Sequence, residues 1–133
     1  METGYIHITE NAGHEFTVEA RLFKGTLWLS VWEMARLFNV YTKTIEGSLK
    51  TIFNAGLLKE NEVSKRHTFV NNGRECMQVL YNLEVLIFIS FRISSFEAKA
   101  FREWIITILI SNKSAKYDIS VDMSNLETRF SLN

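Results

Sequence analysis

Hydrophobic and polar residues alternate through FTVEARLF, Phe16 to Phe23, where Phe16, Val18, Ala20 and Leu22 interleave with Thr17, Glu19 and Arg21. A period of two suits a strand with one face on a core. Lys24-Gly25 offers a turn, and TLWLS places Leu27 and Leu29 on one side of a second strand and Trp28 on the other. The pattern predicts an N-terminal β-hairpin. Residues 1–15 read as an N-terminal arm ahead of it.

The period then changes. Ser30 is followed three residues later by Glu33, the spacing of a capping box, so a helix begins there, with Met34, Leu37 and Phe38 on its apolar side. Ala35 is small enough to let a second helix approach. Asn39 can adopt the left-handed conformation that ends a helix, with Val40 tucking inward after it. Thr42 offers a new N-cap. Ile45, Leu49, Ile52 and Phe53 recur at helical spacing, and Gly56 supplies a stop.

GLLKENEVSKRH reads as a connection. KRHTFV and RECMQVLYNL are strand-like runs around Asn71-Asn72-Gly73, a strong turn signal. Asn82 can cap the next helix, LEVLIFISFRI, apolar nearly all round and therefore a core element. Ser94 and Ser95 interrupt it. Phe96 to Ile110 forms a further helix with an inner stripe of Phe101, Trp104, Ile105 and Ile108. Residues 111–133 form a polar tail in which only YDISVDM alternates enough to predict a short strand. The fold class is α+β: a winged helix-turn-helix-like domain over residues 16–110, with its N-terminal β-hairpin and two further core helices.

Composition fits a folded chain: 47% of the 133 residues are hydrophobic and 23% charged, enough apolar surface to offset chain entropy. A lone cysteine, Cys76, and an N-terminus without a signal-like apolar core imply a cytoplasmic setting. The most apolar run, Val85 to Ile93, is interrupted by Arg92 and is shorter than the roughly 20 residues that span a bilayer. No membrane partner is expected. Formal net charge is zero, which argues against a protein that coats nucleic acid indiscriminately. Its distribution is uneven. Between Tyr41 and Arg74, six basic residues face three acidic ones, and that surplus coincides with the second helix and the hairpin after it.

In a helix-turn-helix, the first helix braces the second, whose outer face and N-terminal end enter the major groove. Lys43, Gly47 and Lys50 lie on one outward face here, beside Thr44, and Tyr41 and Thr42 stand at the helix start. Lysines meet phosphates or guanine edges, and threonine hydroxyls bond phosphate at a helix N-terminus. Gly47 costs about 1 kcal/mol against alanine inside a helix, so its position marks close approach to a partner. Lys65, Arg66, His67 and Arg74 flank the tip of the following hairpin. Together these residues form the candidate surface for double-stranded DNA.

No catalytic, metal or cofactor set competes. His7, His14 and His67 are scattered, Cys76 has no cysteine or histidine at ligand spacing and reads as a small buried strand residue, and no glycine-rich phosphate loop is present. Glu97, Lys99, Arg102 and Glu103 read as an ordinary charged helix face. Ile106 and Ile110 widen the apolar arc around Trp104 beyond one-sided packing. A homodimer interface through Trp104, Ile106 and Ile110 would explain that, as would a tail folded over the patch.

LWLSVWEMARLFNVYTKTIEGSLKTIFNAGLL, LYNLEVLIFISFRISS and FREW together resemble the bacterial RhuM-like family of virulence-associated proteins, to which DNA binding is ascribed. The likeness covers approximately Val18 to Ile110. Its more specific pieces are Leu27 to Ser30, Thr51 to Phe53, Tyr81 to Leu83 and Phe101 to Trp104. It implies a bacterial mobile-element or host-interaction setting and a regulatory, DNA-binding role. Ser48, Thr51 and Ser90 stand where the family tends to have histidine, asparagine and glycine, so no base contact carries over to them. EAKAFREW is also similar to the Bro N-terminal domain of phage antirepressors, which implies the alternative of a protein-interaction module without direct DNA binding.

Overall fold

The computed structural model describes residues 3–111. They form an α+β unit of five helices and two small antiparallel sheets, in the order β1 (Tyr5–Glu10), β2 (Phe16–Arg21), β3 (Trp28–Leu29), α1 (Val31–Phe38), α2 (Thr42–Asn54), α3 (Glu60–Val63), β4 (Ser64–Asn71), β5 (Arg74–Asn82), α4 (Leu83–Ser90) and α5 (Phe96–Ser111).

β2 pairs with β1 rather than with the segment after Lys24-Gly25, from Tyr5 opposite Arg21 to Glu10 opposite Phe16. The expected hairpin is therefore displaced by one strand. Ile6 and Ile8 lie on the alternating positions of β1 that pack on the core, so most of the stretch read as an arm belongs to the folded body. Asn11 makes the turn: its side-chain oxygen accepts from the amides of Gly13 and Glu15. Lys24-Gly25 does reverse the chain, with both residues at positive φ and Phe23 bridged to Thr26. That ladder stops after one bridge because Trp28 and Leu29 pair instead with Asn82 and Tyr81 of β5. Gly4 is fixed by backbone approach: at φ +75°, a Cβ there would sit 2.7 Å from the Arg21 carbonyl oxygen.

α1 begins as its sequence indicates. Ser30 Oγ accepts from Glu33 N and Glu33 Oε1 from Ser30 N, a reciprocal cap worth about 1 kcal/mol. Asn39 closes the helix in the left-handed region at φ 57°, and Val40 N returns to the Ala35 carbonyl. The buried face of α1, Met34, Ala35 and Phe38, packs with Ile45, Leu49 and Ile52 of α2 in one core. Phe38 in turn meets Phe101 of α5 edge-on at 5.7 Å.

α2 starts one residue earlier than expected: Tyr41 is the N-cap, without a side-chain hydrogen bond, and Thr42 is the first helical residue. The segment read as a plain connection contains α3. β4 and β5 meet at Asn72-Gly73, both at positive φ, as a two-residue hairpin turn requires. Order in the second sheet is β3-β5-β4.

α4 is capped by Asn82, whose side chain accepts from Val85 N at 3.2 Å. The stripe of α5 buries Phe101, Trp104, Ile105 and Ile108 as expected, together with Ala98. Arg102 is more than part of a charged face. Its guanidinium donates to the carbonyls of Ser90 and Ile93, closing the end of α4 and the bend that leads into α5. YDISVDM lies outside the described residues, and among those described no helix is long and apolar enough to cross a membrane.

Arg102→Met keeps most of the aliphatic stem and removes both bonds. Charged hydrogen bonds contribute about 1.5–3 kcal/mol each, and water reclaims part of that because Arg102 is only half-buried. Urea unfolding should register a loss of about 2 kcal/mol, against less than about 0.5 kcal/mol for Glu103→Gln on the exposed side of the same helix.

Candidate nucleic-acid interface

α2 buries Ile45, Ser48, Leu49 and Ile52 and turns Lys43, Gly47, Lys50 and Asn54 directly outward, with Thr44 and Glu46 on the two flanks. All five candidate positions within the helix, Thr42, Lys43, Thr44, Gly47 and Lys50, are exposed. Among the described residues Gly47 has no intramolecular explanation, since a Cβ built on it meets nothing within 4 Å. Thr51 Oγ1 donates to the Gly47 carbonyl at 3.1 Å. Ser48 faces the core, so its side chain takes no part in reading whatever the partner.

The start of α2 differs from that of α1. No side chain caps its first amides, and its first turn contains no acidic residue. Tyr41 stands beside it, 85% exposed. An uncapped helix N-terminus presents donors and a partial positive charge to an approaching anion. Thr42 is exposed within that turn rather than committed to a cap.

The hairpin divides its basic residues. Cross-strand register puts Ser64 opposite Tyr81 and Arg66 opposite Val79 on one face, and Lys65 opposite Leu80 and His67 opposite Gln78 on the other. Tyr81 stacks on Phe53 of α2, centroids 6.2 Å apart, so the Arg66 face is the one turned toward α2. Lys65 is on the reverse face, its ammonium 4.2 Å from the centre of the Trp28 ring. His67 stacks on Phe69, two residues along that same face. Arg74, opposite Asn71, shares the reverse face near the tip. The expectation of one basic surface is therefore half met: Lys43, Lys50 and Arg66 are compatible with a common side, while Lys65, His67 and Arg74 belong to the other. Strand parity is the reason, and adjacent residues cannot escape it.

Cys76 is half-buried rather than buried, its thiol near the Arg74 carbonyl at 3.7 Å. Beyond the base of the hairpin, Val70 is 74% exposed and Met77 52%. Trp104, expected at a dimer interface, is 6% exposed and belongs to the core, where its ring tilts against Phe101. Ile106 and Ile110 are exposed, joined by Leu109, which sequence spacing does not single out. Among the described residues, no group of three or more His, Cys, Asp or Glu side chains is placed to hold a metal ion.

One negative spot lies between the two basic elements. Burial, reinforced by the carboxylates of Glu60 and Glu46, raises the Tyr81 phenol above its ordinary pKa. Because the folded pKa is raised, the neutral phenol's contribution to stability is complete below about pH 10 and is lost as pH rises through the folded value. In alkaline unfolding titrations, stability should fall above about pH 10 more steeply for the native chain than for Tyr81→Phe. Equal slopes would mean that ionising Tyr81 costs the fold nothing. Comparison with family models, with curated proteins and with solved structures gives no match.

Proposed function

We propose that the chain is a sequence-selective DNA-binding module of winged helix-turn-helix type, acting as a cytoplasmic regulator with no chemistry of its own. α1 braces α2, α2 enters the major groove, and the β4–β5 hairpin serves as the wing. The observation that carries this reading is the outward face of α2: two lysines flank a glycine whose side-chain space is empty, next to an uncapped helix N-terminus. Zero net charge fits a selective reader rather than an indiscriminate one. Arg66 is the wing residue best placed to join α2 on the backbone. Lys65, His67 and Arg74 contact DNA only if the wing inserts edge-on, with both faces against the phosphates. The resemblance to the RhuM-like family points the same way.

A second reading, an antirepressor-like protein-interaction module, is favoured by different residues. Ile106, Leu109 and Ile110 expose apolar surface near the end of α5, and Val70 and Met77 do so on the wing. The α5 residues equally suit a homodimer, which would set two α2 helices on a pseudo-palindromic site. A stoichiometric protein partner recovered from the native host, without enriched DNA, would favour the interaction module.

Pooled duplex selection at moderate salt should enrich one sequence class. Against that class, Lys43→Ala with Lys50→Ala should weaken binding at least tenfold. The log–log salt slope should fall by about 2, since each phosphate left without its lysine removes about 0.9. Gly47→Gln separates fold from function: it should stabilise the free protein by about 0.5–1 kcal/mol while weakening DNA binding, because the new side chain occupies the space assigned to the duplex. No enrichment, or binding unchanged in these variants, overturns the proposal.

A further inference from the structure

A groove of about 350 Å³ runs between β2 and α5, on surfaces to which neither α2 nor the β4–β5 hairpin contributes. Phe16 of β2 and Phe96 of α5 line it with nearly parallel rings, 15° apart in tilt and 6.5 Å between centroids. Phe96 is 75% exposed, an unusual degree of exposure for a phenylalanine. The pair offers a flat apolar surface to another planar group.

Trp104 also lines the groove, and among the described residues its indole N–H is buried without a hydrogen-bond acceptor. Most buried donors are satisfied, so an orphan beside a cavity points to an acceptor supplied from outside. Charge at the groove is balanced. Lys99 and His14 stand against Glu15 and Glu103, and His14 is already held by Glu10 with Nδ1 2.8 Å from Oε2. Such a lining favours a molecule with both donors and acceptors over one of strong single charge.

We infer that this groove binds a planar, uncharged heteroaromatic molecule of about nucleobase size, stacked on the Phe16–Phe96 pair with a ring carbonyl directed to the Trp104 N–H. A ring or exocyclic N–H on the same molecule donates to Glu103, and Lys99 donates to a second ring acceptor. This site is independent of the DNA-reading surface, so either assignment can fail alone.

The test is calorimetric titration of the full chain with guanosine, which carries all of these groups, and with benzoate, which is planar but anionic. Guanosine should bind saturably with a submillimolar Kd, and benzoate at least tenfold more weakly. Phe96→Ala, at an exposed position, should weaken guanosine at least tenfold. Trp104→Phe keeps an aromatic ring in the core and removes the orphan donor, so guanosine should bind about fivefold more weakly, with Tm reporting separately the cost of the smaller ring. Absence of saturable guanosine binding, benzoate binding equally tightly, or undiminished affinity in either variant overturns the inference.

Discussion

Leu29 and Tyr81, paired across two strands, hold the junction from which the rest of the molecule is built. Leu29 leads directly into Ser30, the N-cap of α1, and Tyr81 into Asn82, the N-cap of α4. Ser64, at the start of β4, pairs with Tyr81 from the other side. Two helices and the hairpin therefore take their directions from one short rung of backbone hydrogen bonds. The Tyr81 ring extends that control to α2 through its stack on Phe53. A two-stranded hairpin is marginal alone, and this one is anchored at its base, where Leu80 and Tyr81 are buried.

Electrostatics on such a frame is decided by position more than by total. Lys65 and Arg66 are neighbours in the chain and lie on opposite sides of the sheet. Lys65 helps close the reverse face, where its ammonium lies over Trp28 and Leu80, its cross-strand partner, is buried outside the main core. Its long stem can cover apolar surface while its charge stays in water. Arg66 stays exposed on the side of α2. Glu46 and Glu60 act on Tyr81 between the two basic elements and keep the common surface mixed in sign. On the proposed reading, DNA binding through such a surface gains from direct contacts and little from long-range attraction, which falls off over about 10 Å at moderate salt.

Aromatic packing links the regions assigned separate roles. Trp104 meets Phe101 at 5.9 Å, and Phe101 meets Phe38 of α1, the helix that braces α2. The groove beside β2 and the helix pair thus share one continuous core. Ser90 is buried in it, its hydroxyl donating to the Ile87 carbonyl and its own carbonyl accepting from Arg102. Its side chain is satisfied locally, which makes a serine tolerable on an otherwise apolar helix.

Local chemistry was legible in the sequence: the Ser30–Glu33 cap, the left-handed Asn39, the Asn72-Gly73 turn, the Asn82 cap and the inner stripe of α5 all depend on residues within a few positions of one another. So was the outward set Lys43, Gly47 and Lys50, because helical periodicity alone fixes which residues oppose a buried face. The partner of β2 was not legible, since period-two alternation marks a strand without saying what it pairs with: the turn at Lys24-Gly25 points to TLWLS, while Tyr5–Glu10, the actual partner, reads as part of an arm. The splitting of Lys65 from Arg66 followed from strand parity, but which face turns to α2 depended on Tyr81 meeting Phe53. Arg102 gained its two carbonyl acceptors, and Trp104 kept its place in the stripe but not at an interface, for the same reason. Sequence spacing places a side chain on a face of its own helix, and only tertiary packing decides whether a carbonyl, another ring or open solvent lies opposite.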